Sequence, residues 1–195
     1  MTQRLQRLQT FIDQIRDIWA LESDMAVRFA RAKPLMESLI LDPDIKASSR
    51  TWPSTEGHKN LVFYVDPDFG FAINGVVREP GRVGRIHDHG DCWVLYGVCD
   101  GLESLERYDR VDDRSRSDYA EIRLASDLAG IPGRADIVAP YEIHREKGGP
   151  RRSAAVILRS RQLGEGTIKQ GRYDEDTCEY FEGWGATQVP YEMVA

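Results

Sequence analysis

Hydrophobic residues near the start of the chain recur every three or four positions, which is the spacing of one helix face. Ser23 or Asp24 is a suitable N-cap for a second helix ending at Lys33, and Pro34 is placed to begin a third, PLMESLILD, before Pro43. These helices group no residues of catalytic type, so we expect residues 1–48 to be a packing segment. The stripe of the first helix consists of Leu5, Leu8, Phe11, Ile12, Ile15, Ile18 and Trp19.

From Asn60 the pattern changes to short apolar runs separated by turn sequences rich in Gly, Pro and Asp. No helical period intervenes, which is typical of an antiparallel sandwich or barrel. We predict one domain over residues 1–195, with a β-barrel core at 59–175 and a C-terminal segment, 176–195, that wraps the barrel or covers its mouth. The runs are LVFYV, FAINGVV, VGRIHDH, CWVLYGV, ESLERYDRV, YAEIRL, ADIVA, EIHRE, AAVILRS and TIKQGRY.

Composition and charge narrow the classes of function. The net charge is −6 and no basic stripe is visible, which argues against a nucleic-acid partner. No apolar run approaches the roughly 20 residues that span a bilayer, and the N-terminus lacks a signal-peptide core. Cys92, Cys99 and Cys178 form no C-x-x-C pair, which favours reduced thiols. We therefore expect a cytoplasmic monomer or homodimer without a membrane partner.

Two of the four histidines, His87 and His89, lie one residue apart in GRIHDHGDCW. On a strand their side chains share a face and Asp88 points to the other, although H-x-H alone is a weak signal for a metal. A third ligand is available in His144 of APYEIHRE, whereas His58 has hydrophilic neighbours and is expected to be exposed. The three would form a facial three-nitrogen site with positions open for substrate and oxygen.

The spacing Gly81-x5-His87-x-His89, followed by His144 after Pro140, resembles the two motifs of the cupin superfamily. Within it, IHDHGDCW, KNLV and PYEIHR are similar to the cysteine dioxygenase group of thiol dioxygenases, particularly bacterial members, and DIWALE, RYDRVDD and AVILRS extend the likeness. The resemblance implies a mainly β cupin fold, a double-stranded β-helix or jelly-roll barrel, with N-terminal α-helices. It also implies Fe(II), or another divalent metal, at the three histidines.

The chain departs from these patterns near the predicted metal. Ordinary cupins add a glutamate after the second histidine, but Trp93 and Val94 stand there, so we expect a site of three histidines. The cysteine and tyrosine that are cross-linked in the animal enzymes correspond to Val94 and Arg159, so that cross-link cannot form. Cys92 lies close in sequence, but its simpler interpretation is a small buried hydrophobic residue.

A serine, a histidine and that tyrosine usually form a relay, and here Ala155, Ile157 and Arg159 take their places. Alternation along the strand puts the Arg159 guanidinium on the inner side with the other two. A buried guanidinium needs an anion, which is either one of the glutamates or a substrate carboxylate. Lys59 stands where many members have a carboxylate-binding arginine.

Two aromatic residues, Trp93 and Tyr96, are candidates for the wall of a substrate pocket, although core packing is the commoner role of an aromatic residue on a barrel strand. The resulting substrate-binding set is Arg159, Lys59, Trp93 and Tyr96. The sequence identifies no catalytic acid or base.

Three functions remain open from the sequence. The first is an Fe(II)-dependent thiol dioxygenase that uses O2 to oxidise the sulfur of a small mercapto-carboxylate to a sulfinate. The second is a non-oxidative metal-dependent lyase or isomerase acting on a small carboxylate, which loss of the relay favours. The third is a non-enzymatic cupin that binds a ligand or metal, against which the three intact ligands argue.

Overall fold

Three helices precede the sheets in the computed structural model, which describes residues 5–164 and 166–193. They are α1 (Gln6–Leu21), α2 (Met25–Ile40) and α3 (Pro43–Ser49). Residues 1–4, 165, 194 and 195, which the predicted domain includes, lie outside the described residues. In the described part, no helix is both long and apolar enough to cross a membrane.

The predicted start of the second helix is correct, but its predicted end at Lys33 is wrong. The Asp24 side chain accepts a hydrogen bond from the Val27 backbone N–H at 3.0 Å, as an N-cap does. The helix then runs through Pro34 to Ile40 without a break. Its buried face continues on both sides of the proline, with Phe29 before it and Met36 after it, so tertiary packing outweighs the local cost of proline.

The apolar stripe of α1 is buried as its spacing predicts. Leu8, Phe11, Ile12, Ile15 and Trp19 are among the most buried side chains of the chain. They belong to one hydrophobic cluster with α2, α3 and the outer face of a β-sheet. The helices therefore cover one sheet.

The described residues form twelve strands, arranged in two six-stranded sheets. The first sheet has the order β12-β1-β2-β9-β4-β7 and the second the order β11-β10-β3-β8-β5-β6. The bounds are β1 Lys59–Val65, β2 Ala72–Arg78, β3 Ile86–His87, β4 Val94–Asp100, β5 Glu103–Arg110, β6 Ile122–Gly130, β7 Ala135–Val138, β8 Ile143–Gly148, β9 Ser153–Arg159, β10 Lys169–Tyr173, β11 Tyr180–Trp184 and β12 Thr187–Pro190.

The strand order from β2 to β9 is that of a jelly roll. Apart from the antiparallel pair β5 and β6, successive strands cross between the sheets, so that β2, β9, β4 and β7 lie side by side in one and β3, β8, β5 and β6 in the other. Two antiparallel sheets connected in this way form the double-stranded β-helix. The predicted mainly β class with N-terminal helices is confirmed.

The C-terminal segment contributes one strand to each sheet. β11 extends the second sheet beside β10, and β12 pairs in parallel with β1 at the edge of the first. The sequence pattern missed both strands, because β11 is largely exposed and shows no buried alternating face.

We predict that Pro34→Ala stabilises the protein. Pro34 is exposed and lies inside α2, where a proline lacks the backbone N–H that would bond to the preceding turn. After allowing for the greater freedom of the unfolded chain, the free energy of unfolding should rise by about 1–2 kcal/mol. Chemical denaturation measures it. The matched control is Pro43→Ala at the first turn of α3, where proline is tolerated and no gain is expected. An unchanged Pro34→Ala midpoint would contradict the prediction.

Candidate metal centre

Strand pairing brings the three predicted ligand histidines together. His87 of β3 lies directly opposite His144 of β8 in the antiparallel register, and His89 follows two residues later. The ring centroids are 4.4 Å apart for His87 and His144, 4.8 Å for His87 and His89, and 4.9 Å for His89 and His144. One nitrogen of each ring lies within 4.8 Å of the other two, so one ion could contact all three.

Asp88 fixes the turn that directs His89 inward. Its Oδ1 accepts hydrogen bonds from the backbone N–H groups of Gly90 at 2.7 Å and Gly171 at 3.0 Å, and its Oδ2 accepts one from the Tyr173 hydroxyl at 2.6 Å. A Cβ at Gly171 would lie 2.3 Å from Oδ2, so only glycine permits this approach. Asp88 therefore points away from the histidines, as strand alternation predicts.

The surroundings of the rings fit a bound cation. The Nδ1 atoms of His87 and His144 lie 2.9 and 2.8 Å from the backbone oxygens of Arg85 and Glu142, which leaves each Nε2 free. His144 Nε2 is buried and has no hydrogen-bond partner among residues 5–164 and 166–193. A buried nitrogen without a partner is costly unless something binds it.

Burial also keeps the three rings neutral. Burial, and after it the neighbouring His144, lowers the pKa of His87 to about 3. Burial lowers the pKa values of His89 and His144 as well. Neutral imidazoles keep the lone pair that binds a metal, whereas protonated ones do not. These three histidines are a candidate metal centre.

A cavity of about 590 Å³ opens beside this centre. His87 and His89 form part of its lining, together with Ile157 of β9. Phe181 and Trp184 of β11, whose side chains are half exposed, stand at its outer part. The C-terminal segment thus forms part of the mouth.

Arg159 lies in the lining of this cavity and is 5% exposed. Its Nη1 donates to the side-chain oxygen of Asn60 at 3.0 Å, in the amide orientation that satisfies both groups, and its Nε has no partner in the described chain. Burial lowers the pKa of the guanidinium. The sequence left open a glutamate partner for Arg159, but among the described residues no carboxylate pairs with it.

The other predicted substrate residues lie in different places. Lys59, at the start of β1, is exposed and lines the cavity. Trp93 packs in the helical layer, with its ring centroid 5.8 Å from that of Phe29, because it points to the opposite side from Val94. Tyr96 is in the barrel core and donates a hydrogen bond to Glu103 at 2.5 Å. Neither aromatic residue belongs to the lining of this cavity, and both pack with hydrophobic clusters.

The cavity residues that sequence reasoning missed include three that contact the histidines or lie opposite them: Glu146, Gln170 and Arg172. Glu146 shares a face of β8 with His144, so the two-residue spacing was a usable signal. Gln170 and Arg172 lie on β10, which pairs with β3 so that Arg172 is opposite His87. That pairing joins distant parts of the chain and left no signal in the sequence.

Glu146 is the carboxylate of the cavity lining, and it is ionised. Its Oε2 lies 3.2 Å from Arg78 Nη2 and its Oε1 lies 3.9 Å from His144 Nε2. Although burial opposes ionisation, the guanidinium of Arg78 lowers the pKa of the Glu146 carboxyl group below its usual range. A carboxyl group with so low a pKa is a weak proton acceptor, so its effect on the site is electrostatic.

Gln170 connects the candidate metal centre with Arg172. Its Nε2 lies 2.7 Å from His89 Nδ1, and its Oε1 accepts a hydrogen bond from Arg172 Nη2 at 2.8 Å. The neutral side chain of Gln170 thus contacts both His89, a predicted ligand, and the buried guanidinium of Arg172.

No protein-family profile and no curated protein matches the chain. Among solved structures, an oxalate oxidase in complex with a substrate analogue, glycolate, has 14% identity and a TM-score of 0.44 over 57% of this chain and 56% of that chain. A DMSP lyase from Ruegeria pomeroyi DSS-3 has 14% identity and a TM-score of 0.38 over 53% of this chain and 43% of that chain.

A conserved protein from Klebsiella pneumoniae with a double-stranded β-helix domain has 14% identity and a TM-score of 0.39, over 57% of this chain and 80% of that chain. The chain therefore spans about half the length of the oxalate oxidase and the lyase. The fold assignment rests on the strand order given above.

We predict that alanine at His87, His89 or His144 abolishes stoichiometric metal binding, because two nitrogens cannot replace a facial set of three. Metal analysis of the purified variants by mass spectrometry measures it. His58→Ala is the matched control, because His58 lies at the cavity but is exposed and outside the cluster. If the His144→Ala protein kept its full metal content, His144 would not be the third ligand.

Proposed function

We propose that this protein is an Fe(II)-dependent thiol dioxygenase acting on a small mercapto-carboxylate. The observation that carries the proposal is a cluster of three neutral histidines beside a cavity that contains the guanidinium of Arg159. In the part of the chain that the structure describes, no carboxylate joins the cluster and none pairs with Arg159. Neutral ligands leave the charge of a bound Fe(II) uncompensated, which favours an anionic thiolate.

The reaction balances as R–SH plus O2 giving R–SO2⁻ and one proton. Bound Fe(II) would supply a site at which the thiol is held as thiolate and O2 is activated. The residues of the chain bind and orient the substrate. His87, His89 and His144 would hold the metal, and Arg159 would hold the carboxylate with the thiol directed at the centre.

Arg159 is suited to a carboxylate for two reasons. A guanidinium presents a planar pair of N–H groups that matches the two carboxylate oxygens. Asn60 occupies one Nη1 donor, which steadies the group, while Nε has no hydrogen-bond partner among the described residues. Lys59 is exposed at the cavity and would attract the substrate without orienting it.

A non-oxidative metal-dependent lyase or isomerase is the second candidate. It is favoured by the inner face of β9, where Ala155 and Ile157 pack in the core and Arg159 follows, so that no hydroxyl or imidazole relay lies there. Oxygen consumption separates the two candidates. An oxygen-electrode screen of the iron-loaded protein against mercapto-acids and aminothiols should show uptake with a mercapto-acid, and no uptake with any thiol would favour the second candidate.

We predict that Arg159 variants lose activity selectively toward thiols that carry a carboxylate. A charge-assisted pair is worth about 1.5–3 kcal/mol, or roughly tenfold to a hundredfold in kcat/KM. Arg159→Met should lose nearly all of this contribution to kcat/KM. Arg159→Lys should lose only part of it, because lysine keeps the charge but lacks the planar pair of N–H groups.

Cysteamine, which has a thiol but no carboxylate, is the control substrate for these variants and should be affected little. Equal losses for both kinds of thiol would make Arg159 a structural residue. Carboxylate recognition would then pass to Lys59.

We also predict that Cys92→Ser keeps most activity and that intact mass shows one species before and after turnover, without the two-hydrogen loss of a thioether. Cys92 is buried, with Sγ 3.3 Å from the Trp93 backbone oxygen and 3.4 Å from Ser160 Oγ, contacts that a serine hydroxyl can also make. A large loss of activity in a folded Cys92→Ser protein would give Cys92 a catalytic role.

A further inference from the structure

The cavity gathers positive charge in a chain that is acidic overall. The net charge of the chain is −6, yet basic side chains outnumber the carboxylate of Glu146 in the cavity lining. Such a concentration of one sign focuses the field on a ligand of the opposite sign. The basic residues of the lining are Lys59, Arg78, Arg82, Arg85, Arg159 and Arg172.

Internal carboxylates compensate only some of these charges. Arg78 lies 3.1 Å from Glu103 and 3.2 Å from Glu146, and Arg82 lies 3.2 Å from Glu56. Arg159 and Arg172, which are 5% and 7% exposed, have no ion-pair partner in the described part of the chain. Two buried guanidiniums without a counter-ion carry a high desolvation cost.

Arg172 is held in place by neutral groups. Its Nη2 donates to Gln170 Oε1 at 2.8 Å and to the Trp184 backbone oxygen at 3.1 Å, and lies 3.4 Å from His58 Nε2. The acidic group that acts on it is Asp88, whose oxygens are already bonded to backbone N–H groups and Tyr173. Arg85 adds a like charge nearby.

The two guanidiniums belong to different sheets. Arg159 ends β9 in the first sheet, and Arg172 lies on β10 in the second, opposite His87. Each is oriented by its own partners, Asn60 for Arg159 and Gln170 for Arg172. The cavity therefore offers two separately built anion positions beside the candidate metal centre, not one shared cluster.

We propose that the cavity binds a small diacid, with one acid group at Arg159 and the second at Arg172. Combined with the proposed function, on which the sulfur chemistry rests, this inference makes the substrate a mercapto-diacid. Lys59 and Arg85, which are both exposed, lie in the same lining and draw such a dianion in.

Calorimetric titration of the metal-loaded protein with succinate and with butyrate tests the diacid directly, because the two ligands share a four-carbon chain and differ by one carboxylate. We expect succinate to bind about tenfold to a hundredfold more tightly, the gain from one additional charge-assisted pair. Equal affinities, or no measurable binding of succinate, would overturn the proposal. This comparison uses the unaltered protein and does not depend on any variant folding.

Variants then locate the second acid group. Arg172→Gln should remove the preference for succinate while butyrate binds as before, and Arg159→Gln should weaken both ligands. The matched control is Arg161→Gln, an exposed arginine beside Asp91 outside the cavity lining, which should change neither affinity. A succinate preference that survives Arg172→Gln in a folded protein would overturn the assignment of Arg172.

Two further measurements distinguish the diacid site from a site for one dianionic group and from the proposed sulfur chemistry. Inorganic phosphate tests whether a single dianionic group bridges both arginines, and binding as tight as that of succinate would overturn the two-position arrangement. Oxygen uptake with mercaptosuccinate and 3-mercaptopropionate tests the sulfur chemistry. A preference for succinate without oxygen uptake would refute the dioxygenase but leave the diacid site supported. Oxygen uptake without a preference for succinate would support the dioxygenase and refute the diacid site.

Discussion

The short strand β3 sets the geometry on which the site depends, because it pairs with β8 on one side and β10 on the other. The first pairing places His87 opposite His144, and the second places Arg172 opposite His87. A shift of one residue in either register would turn these side chains to the other face of the sheet. Asp88, bonded to Gly171 of β10, is one contact that holds this register.

The buried arginines of the cavity differ in whether a carboxylate of the protein pairs with them. Arg78 is compensated by Glu103 and Glu146, and this ion-pair network spans the two sheets. No carboxylate among residues 5–164 and 166–193 forms an ion pair with Arg159 or Arg172, so their burial costs free energy in the folded protein. An anion that enters the cavity recovers that cost, which is why unpaired buried guanidiniums indicate binding more strongly than paired ones do.

Glu146 modifies the expectation of a site made of histidines alone. The sequence lacks the glutamate that ordinary cupins place after the second histidine, and the cluster within ligand distance consists of His87, His89 and His144. A carboxylate nevertheless approaches from β8, with an oxygen 3.9 Å from His144 Nε2. It is bound to Arg78, so it tempers the positive field near the centre without joining the ligand set.

Local patterns in the sequence determined much of the molecule: the α1 stripe, the ten β runs, the common face of His87 and His89, and the inner face of Arg159. Apart from the direction of His89, which lies just beyond β3, these follow from side-chain periodicity within one element. The passage of α2 through Pro34, the place of Trp93 beside α2, and the approach of Gln170 and Arg172 to the histidines were decided only by the tertiary structure. They depend on which distant strands and helices pack together, and periodicity within one segment carries no information about its partners.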